Sequence, residues 1–147
     1  MSIVDSIRND MFKARKEGLK SRSEILGMAL ASIKNVEIDK GDLTDEQVIE
    51  ILRKEIKKLE DAYSQYVVAG REDLAAHEKE QLDTLLVYVP ALMSEDDVKN
   101  VVAKVLANMP NATIRDMGLV MGATMKDLKG KADGSVVNKV VKDLLTK

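Results

Sequence analysis

Apolar residues recur every three to four positions along most of this 147-residue chain. That is the spacing of a helix that buries one stripe and leaves the rest in water. Ser2 stands where it can cap a first run, in which Ile3, Ile7 and Met11 fall at intervals of four, Val4 and Ala14 widen the stripe, and Gly18 stops it. A second run starts at Ser21 or Ser23 and carries Ile25, Leu26, Ala29, Leu30, Ile33 and Val36 towards Ile38, before Lys40-Gly41-Asp42 turns the chain. Thr44, with Gln47 three residues on, reads as a capping box for a long helix. Its apolar positions are Val48, Ile49, Ile51, Leu52, Ile56, Leu59, Ala62, Tyr63, Tyr66 and Val67. The opposite face mixes Arg53, Lys54, Lys57 and Lys58 with Glu50, Glu55, Glu60 and Asp61, the pattern of a solvated surface with favourable pairs one turn apart. Gly70 ends it, and a further helix follows from about Arg71 to Val87.

Tyr88-Val89-Pro90 marks a boundary, because proline lacks an amide hydrogen and pushes its predecessor out of helical geometry. Ser94 caps the next helix, with Glu95, Asp96 and Asp97 favourably placed at its positive end and Val98, Val101, Val102, Val105 and Leu106 on one face. Met109-Pro110-Asn111 turns, and Thr113 caps a helix holding Ile114, Met117, Val120, Met121 and Leu128. The connection from Lys129 to Gly134 leads to Ser135, read as the cap of a last helix with Val136, Val137, Val140, Val141, Leu144 and Leu145. Valine favours strands, but the 136, 137, 140, 141, 144 spacing is helical, and no strand pair stands out anywhere. The pattern predicts an all-α protein with an N-terminal four-helix body over 1–90 and a C-terminal three-helix tail over 91–147.

Composition narrows the chemistry. Only 3% of residues are aromatic, so the core is aliphatic and a base-stacking platform is not to be expected. There is no cysteine and one histidine, which removes thiol chemistry and cysteine metal sites and leaves almost nothing for a histidine one. No cofactor or metal is expected. The absence of an 18-residue apolar run and of a basic-then-apolar start implies no membrane partner and a cytoplasmic location. Net charge is −2, but from Lys126 onward six lysines face three aspartates, a local +3 that leaves −5 for the remainder. That distribution suits an anionic partner as well as a plain solvated hairpin.

The candidate chemistry lies in that basic end. Gly118 and Gly122 sit four apart inside a predicted helix, each costing roughly 1 kcal/mol relative to alanine. Something must approach that face closely. A packed neighbouring helix is the simpler reading, and a partner pressed on the backbone is the other. Lys129, Gly130, Lys131, Gly134 and Ser135 form a lysine-bearing loop running into a helix N-terminus, where free amides and the helix dipole accept phosphate. Lys126, Asn138 and Lys139 flank it. The order of a Walker loop is missing. His77, between Ala76 and Glu78, reads as a surface residue, and nothing singles out a catalytic set.

Several of these motifs, in the same order, resemble the GatB/YqeY family. They are Ile33-Lys34-Asn35-Val36-Glu37-Ile38-Asp39, Ala69-Gly70-Arg71-Glu72-Asp73-Leu74, Tyr88-Val89-Pro90, Met121-Gly122, Gly130-Lys131-Ala132-Asp133-Gly134 and Val137-Asn138. The likeness runs over essentially the whole chain, and is to the stand-alone YqeY proteins. Leu59 departs from it, standing where a basic residue would be expected. The resemblance implies a tail like that of the GatB subunit of glutamyl/aspartyl-tRNA amidotransferase, which helps to hold the tRNA body, without that enzyme's catalytic domain. Three functions follow as expectations. The first is a tRNA-binding accessory module, with tRNA or another structured RNA at Gly118, Gly122, Lys126, Lys129, Gly130, Lys131, Gly134, Ser135, Asn138 and Lys139. The second is a contribution to glutamine-dependent carbon–nitrogen ligation on misacylated tRNA, beside an amidotransferase or aminoacyl-tRNA synthetase partner. The third is a helical protein-interaction module without RNA.

Overall fold

The structure, a computed structural model, describes residues 2–146; Lys147, one of the six C-terminal lysines, lies outside the described residues. The protein is all-helical, and the chain divides into two compact units, Met1–Pro90 and Ala91–Lys147.

The first unit holds α1 (Ile3–Lys16), α2 (Lys20–Lys40), α3 (Asp45–Val68) and α4 (Glu72–Leu86). Helix α1 starts where Ser2 Oγ accepts the Asp5 amide at 3.1 Å. Helix α3 starts in a complete capping box. Thr44 Oγ1 accepts the Gln47 amide at 3.2 Å, and the Gln47 side chain accepts the Thr44 amide at 2.9 Å. It ends at Gly70, whose φ of 72° lets the Arg71 amide reach back to the Tyr66 carbonyl at 2.9 Å while its own amide bonds Val67. This closure reverses the chain into α4. Helices α1 and α2 pack together, as do α3 and α4, and α2 joins the two pairs. Their common core is Ile7, Ile25, Leu26, Ala29, Ile33, Val48, Leu52, Ile56, Leu82 and Leu85. Leu59 packs against it as a partly buried residue.

The second unit holds α5 (Glu95–Ala107), a 3-10 turn (Ile114–Asp116), α6 (Met117–Leu128) and α7 (Gly134–Leu145). The three helices pack pairwise around Val98, Val102, Val120, Leu128, Ala132, Val137, Val140 and Val141. Thr124 is also fully buried, and its hydroxyl donates to the Val120 carbonyl at 2.7 Å, so its polar group is not stranded. All four aromatic side chains, Phe12, Tyr63, Tyr66 and Tyr88, belong to the first unit.

Four expectations are corrected. Helix α2 begins at Lys20 with Leu19 as its uncapped N-cap, not at Ser21 or Ser23. The turn closing α1, in which the Leu19 amide bonds the Ala14 carbonyl at 2.8 Å, delivers the chain straight into the next helix. The Ser23 hydroxyl donates back to the Lys20 carbonyl instead. Thr113 caps the 3-10 turn rather than α6 itself. Val67 and Ile114 are exposed, because each sits in the terminal turn of its segment, beyond the reach of a packed neighbour.

Leu52→Ala is expected to cost about 2–5 kcal/mol in urea unfolding, since the leucine is fully buried among four helices. Val67→Ala in the same helix is expected to change stability by no more than about 0.5 kcal/mol.

Candidate nucleic-acid interface

Helix α6 carries two stripes. Val120, Thr124 and Leu128 recur every four residues and are buried. Gly118, Gly122 and Lys126 recur at the same interval and are exposed. The stripes are two residues apart, about 200° round the helix, so one points into the core and the other directly away from it. The expected packing of a neighbouring helix on the glycines is therefore overturned. A methyl group built on either glycine meets no atom within 4 Å apart from chain neighbours and its own helix backbone. Leu119, 67% exposed, and Arg115 stand beside this bare stripe.

The connection to α7 is built tightly. Lys129 (φ −56°, ψ 124°) and Gly130 (φ 76°) form a type II turn, closed by the Lys131 amide on the Leu128 carbonyl at 2.9 Å. The left-handed φ makes glycine the natural residue at position 130. Beyond the turn, Ala132 drops into the core, and the Lys131 carbonyl accepts the Met93 amide at 2.9 Å. The loop backbone is thus held from below, while the side chains of Lys129 and Lys131 remain exposed.

The cap of α7 is Asp133, not Ser135. One carboxylate oxygen of Asp133 accepts both the Ser135 amide at 2.8 Å and the Ser135 hydroxyl at 2.7 Å. Aspartate two residues upstream caps as well as serine does and reaches the free amide first. The Ser135 amide, expected to meet phosphate, already has an anion on it, and Gly134 is the first residue of the helix. Asn138 and Lys139 are exposed one turn on, and Lys139 Nζ lies 3.2 Å from Glu95 on α5. That pair is well exposed and holds the lysine loosely. The ten candidate residues therefore occupy three places. Gly118, Gly122 and Lys126 share one face of α6. Lys129, Gly130, Lys131, Gly134 and Ser135 lie in one connection. Asn138 and Lys139 lie on α7.

Sequence reasoning passed over Asp133, Leu119 and Arg115. The aspartate was legible as a cap two residues before a helical run; the other two needed the rotation of α6 to be known. Elsewhere His77 is exposed, with Nε2 3.3 Å from the Gln81 amide nitrogen. Among the described residues no group of three or more histidines and carboxylates is placed to hold a metal ion. Nor is any helix there long and apolar enough to cross a membrane.

These features define a class: a helical protein in two units, the second of which turns bare helix backbone and lysines outward. The chain belongs to the YqeY-like protein family, whose pattern matches residues 4–145. It is also 39% identical, over 61 residues, to the E subunit of the glutamyl-tRNA(Gln) amidotransferase of Methanobrevibacter smithii, covering 38% of this chain and 10% of that protein. A second relative is altered inheritance of mitochondria protein 41, mitochondrial, of Pyrenophora tritici-repentis, 30% identical over 106 residues, covering 69% of this chain and 58% of that protein. The chain thus spans about a tenth of the first relative's length and somewhat over half of the second's.

Gly122→Ala is expected to raise stability by up to about 1 kcal/mol, because the methyl group meets open space and the helix gains propensity. Asp133→Ala is expected to lower it by about 1 kcal/mol through loss of the cap. Urea melts followed by circular dichroism measure both.

Proposed function

We propose that this is a cytoplasmic tRNA-binding accessory module related to the tRNA-dependent amidotransferases. The observation that carries the reading is the open glycine stripe of α6. Gly122 in the interior of α6 weakens the helix, Gly118 stands in its first turn, and no described neighbour uses the space the two leave. A partner's backbone does use such space. Lys126 on the same stripe, Arg115 beside it, and Lys129 and Lys131 at its C-terminal end supply positive charge there. The amidotransferase relative, named for a tRNA substrate, supports tRNA as that partner. Contacts of this kind go to phosphate and sugar and fix position without reading sequence. The scarcity of aromatic side chains suits recognition of a folded RNA by shape rather than by stacking on splayed bases.

The Ser135 amide has no part in this reading, since Asp133 occupies it. The relevant anion site is the outer face of α6 and the lysine side chains of the loop. A second reading, a contribution in trans to glutamine-dependent transamidation, is favoured by the same relative. It differs by requiring a partner that carries the chemistry.

Titration of the protein with bulk tRNA tests the proposal. Binding is expected to weaken steeply between about 50 and 200 mM salt. Lys126→Glu/Lys131→Glu is expected to flatten the log–log salt dependence by about 2, one unit for each lost phosphate contact. Gly122→Ala is expected to weaken binding while raising stability, a combination that damage to the fold cannot produce. Absence of tRNA binding at low salt would rule the reading out and favour a protein partner for Leu119 and Ile114. Glutamine-dependent conversion of misacylated tRNA that requires this chain would favour transamidation.

A further inference from the structure

The last residues of the first unit, Tyr88, Val89 and Pro90, are held by side chains rather than by helix. Helix α4 stops at Leu86, and the backbone bonds that follow are short-range: Val87 and Tyr88 to the Leu85 carbonyl, the latter at 3.1 Å, and Val89 to the Leu86 carbonyl at a long 3.4 Å. The side-chain ties come from two other helices. The Tyr88 hydroxyl donates to the Asp10 carboxylate of α1. Arg53 Nη2 of α3 donates to the Pro90 carbonyl at 2.9 Å. Proline has no amide hydrogen, so that carbonyl is the only backbone hydrogen-bonding group of Pro90, and Arg53 takes it. Between the two ties, Tyr88 and Val89 pack against the core of the four helices.

The ties differ in quality. Burial first, and then the Asp10 carboxylate, push the Tyr88 phenol well above its ordinary value, so it remains a donor. Arg53 is less well served. Its Nε is buried with no hydrogen-bond partner, and burial lowers the pKa of the guanidinium. A buried donor without an acceptor loses its hydration and gains nothing in return.

We propose that Tyr88–Pro90 is a strap, clasped by Asp10 and Arg53, that opens as a local unit without unfolding the helices it covers. Opening uncovers the part of the core under Val89 and leaves α1 to α4 in place. Segments with few backbone bonds, held mainly at side-chain ties, are the ones that open below the cost of global unfolding.

Native-state hydrogen exchange on the full chain, read by mass spectrometry or NMR, tests this. The Tyr88 and Val89 amides are expected to exchange at least about tenfold faster than the amide of Leu52 in mid-α3, with little dependence on low denaturant, the mark of a local opening. Arg53→Met is expected to quicken strap exchange several-fold while leaving the urea midpoint unchanged or raised, because the unpartnered donor has gone. Tyr88→Phe removes the other tie and is expected to quicken strap exchange as well. The proposal is overturned if strap amides exchange only with global unfolding. It is equally overturned if Arg53→Met leaves their rate unchanged, or lowers the urea midpoint in step with faster exchange, as a plain fold-stabilising contact would.

Discussion

Closing a small aliphatic core fixes the rotation of α6, and most of what is interesting in the C-terminal unit follows from that rotation. Three short helices share eight buried hydrophobic residues, none of them aromatic and all but Leu128 and Ala132 valine. Helix α6 contributes Val120 and Leu128, with Thr124 between them bonded to its own helix. Once those three point inward, Gly118, Gly122 and Lys126 must point outward. The glycines are bare because the core has turned them to the outside, and no described neighbour then covers them.

The connection that follows is governed by a second constraint. Gly130 turns the backbone, Ala132 anchors it, and Met93 bonds it from beneath, so the lysines ride on a fixed support. Asp133 then places a carboxylate at the mouth of α7. The Ser135 amide at that helix end is thereby satisfied within the protein. Positive charge at this end of the unit is therefore carried by lysine side chains more than by that amide. The family membership and the stretch shared with an amidotransferase subunit relate the chain to the amidotransferases.

Helical class was legible in the sequence, because a 3.6-residue period was sustained over every segment and broken where glycine and proline stood. Caps whose partner lay three residues downstream, at Ser2, Thr44 and Ser94, were also legible, since local geometry alone decides them. Where two helix ends compete, the sequence said less. Leu19 was claimed by the closing turn of α1, and Ser21 and Ser23 never had the chance to cap. Asp133 outcompeted Ser135 at the other site. Gly118 and Gly122 could be recognised as costly, but not as exposed. Which way a glycine faces depends on how the valines and leucine of a three-helix core settle, and that is a tertiary matter.

The segregation of ring-bearing side chains has a practical side. Tyr63, Tyr66 and Tyr88 all lie before Ala91, and the chain has no tryptophan. Near-ultraviolet absorbance and intrinsic emission therefore originate wholly in the N-terminal half, while the C-terminal half is optically dark. A titration that leaves tyrosine emission flat says nothing about whether a ligand has bound to α6.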